Sequence, residues 1–165
     1  MSLAIDWLRL RQGEDPMVYL NDVYRYTMAK LGHREDAEDI AIEVVQTLPN
    51  PCRRRDLRVY MLGIARRKIA DRVRKRKQTD TIHESDLKGR FDHQVDEAAL
   101  VNAVMHVLSA EHREVLVLKY VVGMSSREVG KAMDKSPEAV DSLLQRAREA
   151  FSRQWDHLSS EEVNL

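Results

Sequence analysis

Residues 52–78 read CRRRDLRVYMLGIARRKIADRVRKRKQ. Twelve of these residues are Arg or Lys, and Asp56 and Asp71 are the only acids, in a chain of 165 residues whose formal net charge is zero. The remainder of the chain is therefore acidic. Leu57, Met61, Leu62, Ala65, Ile69 and Val73 recur at helical spacing and mark an apolar stripe. A second face carries Gly63, Arg66, Arg67, Ala70, Arg74 and Lys77. Small residues interleaved with cations let a phosphate backbone approach closely, and phosphate neutralisation with counterion release gives affinity for a polyanion. Taken alone, such a run fits a solvated charged face as well as a nucleic-acid surface.

Composition narrows the setting. Six glycines, four prolines and no alternating apolar runs favour an all-α protein. A single cysteine, Cys52, excludes an internal disulfide and any cysteine-based zinc pattern, and the six histidines lack paired ligand spacing. No metal, cofactor or catalytic group is expected. Neither a membrane-spanning stretch nor a signal peptide is evident, so a soluble, cytoplasmic protein without membrane insertion is expected.

Outward from the basic segment, the chain reads as two helical units. On the N-terminal side, Leu3, Trp7 and Leu10 suggest a short opening helix. Asp15-Pro16 is an N-cap followed by a first-turn proline, and the next helix buries Leu20, Val23, Tyr24, Thr27, Met28 and Leu31 before Gly32. Asp36 is expected to open a helix with Ala37, Ile40, Ala41, Val44, Val45 and Leu48 inward. Off that stripe lie Asp39, Ile42, Glu43 and Gln46, a row that suits either a docking face for a basic partner helix or a stray exposed apolar residue among acids. Pro49-Asn50-Pro51 ends this helix.

On the C-terminal side, residues 79–97 hold Asp80, Glu84, Asp86, Asp92, Asp96 and Glu97 and read as an acidic, flexible linker. The second unit spans 98–158. Leu100, Ala103, Val104, Val107 and Leu108 form one stripe. Ser109 caps the next helix, whose Val115, Leu116, Val117, Leu118, Tyr120, Val121 and Val122 make it the most buried, with Gly123 after it. Ser125 and Glu128 form a capping box. A short helix to Met133, a turn, and a helix from Ser136-Pro137-Glu138 to about Trp155 make a helix-turn-helix or an ordinary helical corner, with Gly130 at the close approach. Residues 159–165 are left as a polar tail.

Several segments in this order resemble the extracytoplasmic-function (group 4) sigma factors of bacterial RNA polymerase. Ala37-Glu38-Asp39-Ile40 through Glu43-Val44 is similar to the family's A-E-D-L-x-Q-E segment. Tyr60-Met61-Leu62-Gly63-Ile64-Ala65-Arg66 with Asp71-Arg72-Val73-Arg74 is similar to its W-L-x-x-I-A-R-N-x-x-x-D-x-x-R segment. Leu108-Ser109, Arg113 to Tyr120, Ser126 to Gly130, Ala139-Val140 and Arg146 to Phe151 resemble region 4. The resemblance implies two small helical bundles joined by a flexible linker, the second ending in a helix-turn-helix. It implies a non-enzymatic transcription initiation factor that binds core RNA polymerase at the β′ clamp helices and β flap, reads promoter DNA, and is held by an anti-sigma protein. The first domain, 1–78, would dock through Asp39, Ile42, Glu43 and Gln46. It would hold the −10 element through Arg53, Arg54, Arg55, Arg58, Arg66, Arg67 and Arg74, which would help offset the cost of extruding a base. The second would place Ser126 and Arg127 on phosphates and turn Ser136, Glu138, Asp141, Ser142, Gln145 and Arg146 toward the −35 groove.

The departures fall at informative places. Ile42 stands where the family often has Gln, Tyr60 where it has Trp, and Arg67 where it has Asn. The recognition helix, usually G-T-V-K-S-R-L, reads Glu138-Ala139-Val140-Asp141-Ser142-Leu143-Leu144, with Asp141 and Leu143 in place of two cations. A sigma-like module that sequesters a protein partner without reading DNA is the competing expectation. A nuclease is disfavoured, because no clustered carboxylates or histidines share a face.

Overall fold

The first described residue, Gly13, sits in the left-handed region at φ 77°. A Cβ there would lie 2.9 Å from Pro51 Cβ and 3.1 Å from the Cys52 carbonyl oxygen. The close approach is fixed by two backbone bonds: the Glu14 N–H donates to the Cys52 oxygen at 2.9 Å and the Cys52 N–H to the Glu14 oxygen at 2.8 Å. This isolated bridge ties together two loops of the first bundle. The computed structural model describes residues 13–79 and 97–162; the expected opening helix and nearly all of the acidic linker lie outside them.

The described elements are helical. Asp15 accepts from the Met17 N–H at 2.9 Å and caps a 3-10 turn, Pro16–Tyr19, as the Asp-Pro pair predicts. Helix α1 (Leu20–Leu31), α2 (Arg34–Gln46) and α3 (Leu57–Thr79) follow. After them come α4 (Glu97–Val107), α5 (Ala110–Leu116) continued by a π-helical turn (Val117–Val121), α6 (Ser126–Met133) and α7 (Pro137–Glu162). Two compact units are present, Met1–Gln78 with Lys131–Asp134 and Thr79–Gly130 with Lys135–Leu165. Thus α1, α2 and α3 belong to the first, and α4, α5, the start of α6 and α7 to the second.

The core of the first unit is Val23, Tyr26, Ala37, Ile40, Ala41, Val44, Leu57, Met61, Leu62 and Ala65. The apolar stripe of α3 is buried only in its first half: Ile69 is half-buried and Val73 is 37% exposed. Beyond Ala65 the helix is held by charge. Asp36 is 8% exposed, and the guanidinium groups of Arg72 and Arg76 both donate to its carboxylate. Lys68 Nζ lies 2.8 Å from Glu43 Oε2, and Arg72 Nη2 is 3.8 Å from Glu43 Oε1. Arg58 Nε donates to Asp22 at 2.8 Å. Asp36 is therefore no helix opener. The helix begins at Arg34, and the Asp36 carboxylate is the anchor for the far end of α3.

In the second unit Val104, Leu108, Val115, Leu116, Val117, Leu118, Val122, Met124, Val129, Val140, Leu143, Leu144 and Ala147 are buried. As expected, the α5 segment contributes most, although Tyr120 and Val121 are exposed. Its π turn closes with the Val122 N–H donating to the Val117 oxygen at 3.0 Å. Ser109 caps α5 by accepting from the His112 N–H at 3.2 Å. Arg113 reaches back to the end of α4, donating to the carbonyls of Met105 at 2.6 Å, His106 at 2.8 Å and Leu108 at 3.1 Å. It thereby satisfies carbonyls that a helix end leaves without partners. Helix α7 continues through residues expected to be a tail. Phe151 and Trp155 stack at 6.0 Å, and the hydroxyls of Ser159 and Ser160 donate to the carbonyls of Asp156 and His157. No Gly or Pro intervenes to stop it.

Two outcomes follow from the charge packing. Asp36→Ala leaves two guanidinium groups without their anion and should destabilise the first unit by about 1–2 kcal/mol, less than a fully buried pair because Arg76 is half exposed. Thermal unfolding checks this, with the exposed Asp39→Ala expected to stay within about 0.5 kcal/mol of wild type. The Lys68 ammonium holds the Glu43 carboxyl below its usual value of 4.5. A depressed carboxyl stabilises the fold above its unfolded value and loses that contribution as pH falls through the folded one. Glu43→Gln should therefore cost a few tenths of a kcal/mol at neutral pH. Denaturant titrations should show that difference shrinking toward zero as pH is lowered beneath 4.5.

Candidate nucleic-acid interface

The basic segment divides into cations that are used inside the first unit and cations that are not. Arg58, Lys68, Arg72 and Arg76 hold Asp22, Glu43 and Asp36, and Arg74 pairs with Asp71 at 2.8 Å on the exposed side of α3. Arg66 Nε is 3.4 Å from the Tyr26 hydroxyl, a weak tether. Arg53, Arg55 and Arg67 are exposed and pair with no acid among the described residues. Arg54 lies over the Tyr60 ring, 3.7 Å from its centroid, so the Tyr in the family's Trp position supports a loop cation. Outward cations thus lie in the loop, at Arg66 and Arg67, and again at Arg74, Lys75 and Lys77 toward the end of α3. Of the residues expected at a −10 strand, Arg58 is the one committed to internal packing.

Asp39, Ile42, Glu43 and Gln46 share the exposed side of α2, with Ile42 48% exposed. The row is an apolar residue framed by polar ones, as its spacing predicts. Glu43 also serves the bundle through Lys68, a role that spacing along α2 does not reveal.

In the second unit the capping box forms. The Ser125 N–H and hydroxyl each donate to Glu128 Oε2 at 2.9 Å, and the Glu128 N–H donates to Ser125 Oγ at 3.3 Å. Asp134 takes φ 56° in the turn, and the Lys135 N–H donates to the Gly130 carbonyl at 2.9 Å. A Cβ on Gly130 would stand 2.5 Å from the Lys135 oxygen, so this turn admits only glycine there. Ser136 caps α7 by accepting from the Ala139 N–H at 3.1 Å. This is the tight turn of a helix-turn-helix, resolving the choice the spacing left open.

The outer side of α7 carries Glu138, Asp141, Ser142, Gln145 and Arg146, all exposed. Ser142 donates to the Glu138 carbonyl at 3.0 Å, Gln145 to Glu149 at 3.2 Å, and Arg146 Nε to the Ser142 carbonyl at 3.4 Å. Arg127 is exposed at the start of α6. Two expected residues sit differently. Leu143 is buried beside Val140, Leu144 and Ala147, so its replacement of a cation serves the core. The Ser126 hydroxyl, expected on a phosphate, donates to Asp141 Oδ1 at 2.6 Å. Among the described residues no group of three or more His, Cys, Asp or Glu is placed to hold a metal, and no helix is long and apolar enough to cross a membrane.

Comparison with known proteins agrees with this geometry. Residues 99–151, which contain the helix-turn-helix, match the family model "Sigma-70, region 4". The extracytoplasmic-function RNA polymerase sigma factor SigM of Bacillus subtilis is 28% identical over 142 residues, covering 80% of this chain and 87% of that protein. SigD of Mycobacterium tuberculosis, of the same kind, is 29% identical over 143 residues, 76% of this chain and 68% of its own. The fold is shared with the sigma factor RpoE of Bartonella quintana, solved with the anti-sigma factor NepR, at a TM-score of 0.59 and 16% identity over 85% of this chain and 93% of that one. It is shared too with CnrH, solved with the cytosolic domain of CnrY, at a TM-score of 0.55 and 23% identity over 95% and 90% of the two chains. With a region 4 helix-turn-helix in its second unit and relatives of one kind aligned along both, the chain is similar to the extracytoplasmic-function sigma factors.

Proposed function

We propose that the chain is an alternative sigma factor that docks on core RNA polymerase through Asp39, Ile42, Glu43 and Gln46 and reads promoter DNA with both units. It acts by binding and positioning, not as an enzyme. The observation that carries this reading is the pairing of a region 4 helix-turn-helix with a second surface where arginines point away from the fold. Arg53, Arg55 and Arg67, with Arg54 over Tyr60, suit a single strand's phosphates and a stacked base at the −10 element. Arg66 and Arg74 lie on the same helix and extend that surface. The outer side of α7 suits the major groove of the −35 element, with Arg127 and the Ser136 region beside the backbone. The β′ clamp helices and the β flap are the polymerase surfaces this arrangement would meet. An anti-sigma protein is the expected regulator, as RpoE was solved with one and CnrH with the cytosolic domain of CnrY.

Charge reversal separates the two roles of the first unit. Arg53→Glu, Arg55→Glu and Arg67→Glu together should abolish promoter opening, read by permanganate reactivity, while core polymerase is still bound. Normal opening by the triple variant contradicts the −10 assignment. Asp39→Arg with Ile42→Ala avoids the internally paired Glu43 and should weaken core binding at least tenfold, about 1.4 kcal/mol; unchanged affinity in a pull-down titration removes the docking face.

A further inference from the structure

The groove-facing side of α7 offers acceptors before it offers a cation. Glu138 and Asp141 are exposed in its first turns, and Arg146 is the first Lys or Arg along α7. In helix-turn-helix docking, the N-terminal residues of the second helix meet the base edges. A carboxylate there accepts hydrogen bonds only and is repelled by phosphates, so it needs a donor on a base. Such donors in the major groove are the N4 amine of cytosine and the N6 amine of adenine. Adenine sets its N7 acceptor beside N6, which repels a carboxylate's second oxygen. Cytosine sets only a C–H beside N4.

A mobile carboxylate would swing toward water, but Asp141 is held. The Ser126 hydroxyl donates to its Oδ1 at 2.6 Å, a short charge-assisted bond. Ser126 is free for this because Ser125 and Glu128 make the cap of α6 without it. Oδ1 is engaged and Oδ2 remains an acceptor in a fixed direction. The neighbouring candidates are turned elsewhere: Leu143 into the core, Gln145 to Glu149, and the Ser142 hydroxyl to the Glu138 carbonyl.

We propose that Asp141 is a specificity-determining residue that accepts a hydrogen bond from cytosine N4 in the −35 element, and that Ser126 is its positioning residue. This rests on the −35 reading given above. Holoenzyme assembled from the full chain and bacterial core polymerase would transcribe a promoter library randomised across the −35 segment, for wild type, Asp141→Asn and Ser126→Ala. Wild type should enrich cytosine at one position, on the order of tenfold. Asp141→Asn should move that position to adenine, whose N6 and N7 an amide can bind together, and leave the other positions alone. Ser126→Ala should keep cytosine with a several-fold weaker preference, an effect that a merely structural serine would not confine to one base. If Asp141→Asn keeps the base choice, or raises transcription from all sequences alike, the carboxylate only repels phosphate; the inference falls and the −35 reading stands. If wild type enriches no sequence in the segment, both fall.

Discussion

Arg72 and Arg76 closing on the buried carboxylate of Asp36 is the interaction on which the first unit depends. Residues 52–78 hold twelve cations, and like charges so close along one helix oppose its packing. The apolar stripe alone does not dock this helix, since burial fades after Ala65. Carboxylates on α1 and α2 supply the rest of the hold: Asp22 takes Arg58, Glu43 takes Lys68, and Asp36 takes the far end. Arg53 and Arg55 in the loop, Arg67, and Lys77 near the end of α3 are exposed and pair with no acid among the described residues. Folding thus sorts the cations into anchors and outward residues, and the outward group is what the first unit offers a polyanion.

The second unit rests on a steric constraint. Gly130 must lack a Cβ for the Lys135 carbonyl to pass 2.5 Å from where it would be. That approach lets α6 and α7 meet across a short turn, and it brings Ser126 within bonding reach of Asp141. The outer side of α7 gains its character from this. The helix is not a general phosphate binder, because its early exposed residues are acidic or neutral. On the proposed reading, affinity for DNA would come chiefly from the first unit and from polymerase, and the second unit would contribute selectivity.

Much of this is legible from local pattern. Caps and stops are local chemistry, and Asp15, Ser109, the Ser125–Glu128 box and Ser136 all form where residue types place them. The exposed row around Ile42 also follows from helical spacing. What escapes such reading is long-range or permissive. Asp36 reads as a helix opener because its partners lie 36 and 40 residues away. Arg113, in sequence only part of a motif, is a clip on the preceding helix. Leu143 reads as a lost DNA contact until its position beside Val140 and Ala147 makes it core. The extension of α7 to Glu162 carries no stop signal to contradict a polar tail, and stacked aromatics decide it.

On the proposed reading the two surfaces would serve one event, promoter-directed initiation. Run-off transcription with purified core polymerase on fragmented genomic DNA tests this most directly. A small, defined set of transcripts that arises only when this chain is added, each preceded by two shared elements, is the expected result. Tight binding to core polymerase with no specific transcript would contradict it and identify a module that occupies polymerase without reading promoters.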